Sequence, residues 1–229
     1  MFPTRRITLG GDVFRDEYSL SFDGTDDKLA TTVPSSTFHG DFSLSAWVKR
    51  VDVGSAGEIV DGRAGTDDGF ILFFRSTNDL RASFDALDVT TGTTFTTANI
   101  WYHIAIVYTD SSETGQIYVN GVLTATGTGT SDLDNTNNVL EIGDTFQGNI
   151  SDVAIYNTPL TTSQVKTLYN GREPYNHKEG VASSNLVGWW RMGDGLENHS
   201  GSTIYDMSVN SNNGTMTNMA SDDFTGDTP

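Results

Sequence analysis

Cysteine is absent from the 229-residue chain. That excludes disulfide staples and thiolate metal centres. It is neutral on compartment, because a chain this long can bury an adequate core without cross-links. Basic residues are scarce: 13 Lys and Arg stand against 30 Asp and Glu, a formal charge of −17. Such a field repels phosphate backbones and anionic lipid surfaces, so neither nucleic acid nor membrane is an expected partner. No apolar run reaches the roughly 20 residues of a membrane-crossing helix. Met1-Phe2-Pro3-Thr4-Arg5-Arg6 leads to Gly10, Gly11 and Asp12 without an apolar h-region, so the opening does not read as a secretory signal.

Catalytic patterns are also thin. No Gly-x-Ser-x-Gly elbow occurs, and Gly127-Thr128-Gly129 lacks the lysine of a phosphate-cradling loop. His39, His103, His177 and His199 are scattered, without the spacing of a transition-metal site; His103 falls in an apolar stretch and reads as a core histidine. A glycosidase needs two carboxylates facing each other across a cleft. Glu58 with Asp61, and Glu141 with Asp144, are three residues apart, which on a regular strand places the partners on opposite faces. Catalysis is not expected. Asn149, Asn198 and Asn213 open glycosylation sequons, a chance outcome in an Asn-rich chain.

What is present is strand and turn. The chain has 24 Gly with many Thr, Ser, Asn and Asp, residues that supply tight turns. Tyr18 to Phe22 alternates and breaks at Asp23-Gly24; Phe42, Leu44, Ala46 and Val48 alternate with Ser43, Ser45, Trp47 and Lys49. Gly69 to Arg75, Leu80 to Phe84 and Trp101 to Tyr108 are further apolar runs. Gln116 to Val119, Asn120-Gly121 and Val122 to Ala125 spell a hairpin with a type I′ turn. Val139 to Ile142 is one more strand. From Phe146 to Tyr156 the phase slips near Ser151 and Asp152, which predicts a bulge. One helix is expected from Gln164 to Tyr169, capped by Thr161 or Thr162 and ended by Asn170-Gly171. The fold class is therefore all-β, a two-sheet antiparallel sandwich with one short helix. Residues 1–17 read as an N-terminal arm outside the core and residues 18–229 as a single sandwich.

Phe22-Asp23-Gly24-Thr25-Asp26-Asp27, Phe42 to Val48, Trp101-Tyr102-His103-Ile104-Ala105, Ile117 to Gly121, then Phe146-x-Gly148-x-Ile150-x-Asp152-Val153-x-Ile155-Tyr156 and the helix ending Leu168-Tyr169 occur in that order. The series resembles the laminin-G-like domain, also called the concanavalin A-like lectin/glucanase jelly roll, over about residues 18–170. The resemblance implies two packed antiparallel sheets, binding of carbohydrate or protein, and often one calcium ion. Calcium takes several oxygen ligands from carboxylates and carbonyls. The turn acids Asp23, Asp26 and Asp27, together with Asp152 at the bulge, are the candidate ligands. Ser151 departs from the acid usual after that isoleucine. For a sugar, Trp47 and Trp101 read as core, at most one of Trp189 and Trp190 is free, and Phe95 with the loop from Asn135 to Asn138 is a candidate rim.

The segment 184–229, with Leu186 to Gly195, Ile204-Tyr205-Asp206 and Asn212 to Met216, resembles one that the family carries before the Phe-Asp-Gly motif. Here it follows the helix, as a permuted strand closing its own sheet or as a strand exchanged with a neighbour. Thr4 to Asp12 and the tail Asp222 to Asp227 are similar to small virion proteins of tailed phages. The resulting expectation is a non-enzymatic structural or decoration protein of a phage virion, partnered by other virion proteins or by itself, and binding a host-surface glycan. The alternative is a secreted or cell-surface carbohydrate-binding module, in an extracellular setting.

Overall fold

A computed structural model describes residues 14–63, 69–130, 133, 139–193 and 199–229. The chain forms strands β1 (Ser19–Asp23), β2 (Lys28–Thr31), β3 (Phe42–Arg50), β4 (Gly57–Asp61), β5 (Phe70–Phe74) and β6 (Asp79–Phe84). Then come β7 (Leu87–Thr94), β8 (Trp101–Thr109), β9 (Thr114–Val119), β10 (Val122–Thr128), β11 (Glu141–Ile142) and β12 (Gln147–Tyr156). Helix α1 (Thr162–Tyr169) precedes β13 (Leu186–Trp190), β14 (His199–Ser200), β15 (Thr203–Ile204), β16 (Gly214–Thr217) and β17 (Phe224–Thr225). Sheet A runs β10-β9-β8-β3-β12-β1-β17, with β13 also on β12; sheet B runs β14-β15-β16-β2-β11-β4-β5-β6-β7. Every pairing is antiparallel. The predicted two-sheet sandwich with one helix is what the chain adopts.

Local chemistry explains the corners. Asn120 and Gly121 take φ of 50° and 75°, the left-handed pair that a type I′ hairpin needs. The slip near Ser151 is a bulge, where the β12–β3 register shifts between Ser151 and Ala154 and Asp152 sits at φ 52°. Thr161 caps α1 in a capping box with Gln164, and Asn170 ends it at φ 47°.

Between the sheets lies the main core, in which Phe38, Phe42, Phe70, Phe84 and Tyr108 pack ring against ring. A second core covers the outer face of sheet A. There Ala105, Val107, Tyr118, Ala154, Tyr156 and Trp189 pack beneath Leu160, Val165 and Leu168. The neighbours Trp189 and Trp190 belong to different cores, as the alternation of a strand requires, and neither ring is free.

The segment 184–229 closes the chain's own sheets. β13 pairs with β12, β16 with β2 and β17 with β1. The remaining edge of β13 is sealed by side chains. Asn210 Nδ2 donates to the Leu186 and Val187 carbonyls, Asn212 Nδ2 donates to Val187 O, and Asp206 Oδ1 accepts from Trp189 N. These bonds occupy backbone groups that an added strand would otherwise use. The expected arm boundary moves, because residues 14–17 include parts of the body. Phe14 lies 5.6 Å from the Trp189 ring under the Arg191 guanidinium, and Asp16 is buried. The expectations for residues 1–13 and for the loop from Asn135 to Asn138 lie outside the described residues.

Candidate functional site

With the outer face of sheet A occupied, the outer face of sheet B is the open one among the described residues. Phe70, Leu72 and Phe74 point into the core, so Ile71 and Phe73 point out; Leu80, Ala82 and Phe84 likewise turn Arg81 and Ser83 outward. Phe73 is half-buried and directly opposite Arg81 across the β5–β6 pair. Arg63, Arg81, Asp85 and Asp88 join it around a groove of about 370 Å³. Arg81 Nη1 lies 2.9 Å from Asp88 Oδ2, and Ser83 Oγ donates to Asp88 Oδ1. Arg81 Nε is buried without a hydrogen-bond partner among the described residues. An aromatic face flanked by fixed donors and acceptors is the chemistry that holds a sugar ring: C–H groups against the ring, hydroxyls on the polar groups.

Next to the groove, the structure corrects the reading of the acid pairs. The β4–β5 register shifts between Glu58 and Val60, so Ile59 and Val60 both enter the core and both acids face outward. Arg63 Nη2 contacts Glu58 Oε1 at 3.1 Å and Asp61 Oδ2 at 2.8 Å. The two carboxylates therefore lie within about 6 Å of each other, near the separation of a retaining glycosidase pair. Lys28 holds Glu141 at 3.0 Å and Asp144 at 3.9 Å on the same face. Burial, then the charge of Asp61, raises the Glu58 pKa despite Arg63. A guanidinium bonded to both acids ties them into a clamp on this face.

The turn acids gather. Carboxylate oxygens of Asp23, Asp26 and Asp27 lie within 4.8 Å of one another. Asp27 Oδ2 accepts from Asp23 N and Asp23 Oδ1 from Thr25 N, so two of these oxygens also shape the turn. Burial, more than the surrounding acids, raises the Asp27 pKa. The set is all oxygen and suits a hard cation such as calcium.

Asp152 does not belong with them. Asp23 pairs with Gln147, five residues back along β12, about 16 Å at the rise of a strand. The Asp152 side chain is 2% exposed, accepts from Trp189 Nε1 at 2.5 Å, and meets His177 Nε2 at 3.2 Å. His177 Nδ1 is 2.5 Å from Tyr156 Oη. Burial works against the Asp152 charge, but His177 and the indole N–H outweigh it and hold the carboxyl below its usual range. His177 gave no sign in the sequence, since it lies in a loop without periodicity. Beside it, Asp16 accepts from Ser151 Oγ and Arg191 Nε, while burial and the Asp152 charge push its pKa up to about 8. These groups are sealed from substrate and hold the second core together.

His103 is a core histidine as expected, 1% exposed and bonded through Nε2 to Ser45 Oγ at 2.8 Å. Trp47 is core. Trp101 is only half-buried, its indole N–H donating to Asp227. Phe95 does not form a sugar rim: it is 4% exposed, edge-on to Phe74 and Tyr102.

A family model described as the Concanavalin A-like lectin/glucanases superfamily matches residues 23–166. No curated protein matches the chain. Among solved structures, a Bacteroides ovatus protein described as a candidate carbohydrate-binding protein aligns at TM-score 0.70 and 20% identity. The alignment covers 93% of this chain and 60% of that one, so the chain spans well under the full length of this relative. The heptameric SAP-like pentraxin of Limulus polyphemus aligns at TM-score 0.54 and 19% identity, covering 69% of this chain and 83% of that one. The CBM40 of the Ruminococcus gnavus IT-sialidase aligns at 0.51 and 10%, covering 67% and 97%. At these identities the likeness is one of fold.

Proposed function

The chain belongs to the concanavalin A-like lectin/glucanases superfamily, and on that premise we propose that it is a non-catalytic lectin-like module binding a glycan on the open face of sheet B. The observation that carries the reading is the groove in which Phe73 is flanked by Arg81, Arg63 and Asp88. A sugar stacks on Phe73 and takes hydrogen bonds from guanidiniums already oriented by Asp88, Glu58 and Asp61. Ion pairs that fix these donors in advance lower the ordering cost of binding. The Asp23–Asp26–Asp27 turn takes calcium in the same reading, as a stabilising ion outside the groove. A glycan array probed with the full chain, alongside Phe73→Ala and Arg81→Ala, tests the proposal. Hits that both variants lose support it; hits that both retain overturn the site, and hydrolysis of any bound glycan overturns the non-catalytic reading.

A second reading is virion attachment through the terminal segments, and one placement favours it. Ser19 Oγ donates to Asp227 O, and Asp227 also binds Lys49 and Trp101. Both described ends of the chain thus run along sheet A, away from the open face of sheet B, which leaves that face outward if the ends are tethered. Deleting residues 1–13 should abolish particle association while sparing glycan binding; unchanged association sinks this reading.

A further inference from the structure

A second concavity lies at the end of the sandwich where β3 begins and β12 finishes. It is a groove of about 980 Å³, within the usual size range of small-molecule sites. Its lining is mainly amide and hydroxyl, and the amides are fixed before any ligand arrives. Asn185 Nδ2 donates to Asn157 Oδ1 at 3.0 Å, and Ser184 Oγ donates to Asn185 Oδ1. The Asn210 amide nitrogen is spent on the Leu186 and Val187 carbonyls, and Asp41 Oδ1 on the Asp110 N–H. The Asn157 Nδ2 amide, Asn210 Oδ1 and Asp41 Oδ2 carry no bond to another described residue, and Lys178 adds an ammonium to the lining. Val209 stands 93% exposed at the groove, an aliphatic side chain left in water.

We propose that this end groove is a second saccharide site, independent of the sheet-B face, that takes a neutral oligosaccharide of two or three sugars. Vicinal hydroxyls both donate and accept, which matches interspersed amide N–H, amide oxygen and carboxylate groups. Val209 supplies an apolar contact for sugar C–H groups. Charge selects against acidic sugars: Lys178 is balanced by Asp41 in the lining, and the chain as a whole carries −17. A peptide is a poorer fit, because strand addition needs a free edge and the β13 carbonyls here are already bonded to Asn210 and Asn212.

Backbone-amide NMR of the full chain, titrated to millimolar concentrations of maltotriose, cellotriose and triacetylchitotriose, tests the proposal. At least one of these should perturb the amides of residues 183–187 and 209–212. Val209→Asp, too exposed to disturb folding, and Asn157→Ala should each weaken that binding about tenfold, the effect of losing one contact or hydrogen bond. Phe73→Ala should leave it unchanged. The proposal is overturned by perturbations confined to the Phe73 groove, by silence of the end groove towards all three sugars, or by wild-type affinity in both end-groove variants. A sialylated trisaccharide bound there as tightly as the neutral ones overturns the assignment of ligand class.

Discussion

Asp152 offers the sharpest check on what holds the second core. Its carboxylate is 2% exposed and accepts from two buried donors, the Trp189 indole and His177 Nε2. Asp152→Ala leaves both unsatisfied, at about 1–3 kcal/mol each, and puts alanine at φ 52°, which Asp and Asn tolerate better. Breaking a buried pair in this way costs about 3–5 kcal/mol, or a fall in Tm of roughly 6–20 °C for a chain of this size. Asp152→Asn keeps an oxygen for the indole and an amide for His177, so about 1–2 kcal/mol should be lost. Denaturant unfolding followed by tryptophan fluorescence reads both, since Trp189 touches the mutated group. The sign with pH is fixed as well. A carboxyl lowered in the folded state contributes stability above its unfolded pKa, and that contribution is lost as pH falls through the folded value. Asp152→Asn should therefore flatten the acid limb of the stability curve. An alanine variant within about 1 kcal/mol of wild type, or one no worse than the asparagine variant, would refute the reasoning.

Other perturbations follow from the same geometry. If the acidic turn binds calcium, chelator-stripped protein should gain about 2.7 kcal/mol at a hundredfold excess over Kd; thermal scans should show the gain lost in Asp26→Asn and kept in Asp152→Asn. Asp16, raised from 3.8 to about 8, favours the fold while protonated, so its contribution should decline as pH rises from about 4 and be lost by about 8. Asp16→Asn should remove that decline in Tm measured from about pH 4 to pH 8. His103, pushed down to about 3 by burial, resists protonation, so its neutral form stabilises the fold and the benefit fades as pH drops below its unfolded value. His103→Gln should make that slope shallower in denaturant midpoints taken below neutral pH. Asp227→Ala should cost only about 1 kcal/mol, because the carboxylate is half exposed although its partner Lys49 is not; an unchanged denaturant midpoint would remove the tail from the fold.

How legible the fold was depended on whether a segment carried its own signal. The alternation from Phe42 to Val48 becomes β3, and the phase slip at Ser151 becomes a bulge, because period and register are properties of consecutive residues. Phe14 and Asp16 were misplaced in the arm because their partners, Trp189, Arg191 and Ser151, come from distant segments. The acid pairs failed for a subtler reason. Glu58-Ile59-Val60-Asp61 obeys a regular strand only if one of its two apolar residues faces water, and the chain avoids that by bulging. Two adjacent branched apolar residues between acids were the available clue. The calcium candidates divided in the same way: Asp23, Asp26 and Asp27 meet because they share a turn, whereas Asp152 was grouped with them by its place at the bulge and by family resemblance.

The two open surfaces follow from what the sandwich has to hide. Sheet A covers its outer face with α1 and Phe14, and β13 has its edge sealed by Asn210, Asn212 and Asp206, whereas the sheet-B face and the end groove are open among the described residues. On the sheet-B face each guanidinium is already matched, Arg81 by Asp88 and Arg63 by Glu58 and Asp61. An anionic ligand would meet guanidiniums whose charge is already balanced by carboxylates while entering the field of a −17 chain. A neutral sugar displaces nothing: it uses the donor and acceptor capacity that the ion pairs leave over, and Phe73 adds stacking without adding charge. Internal charge pairing, which looks like surface decoration in the sequence, would on the proposed reading favour hydroxyls over acids at this face.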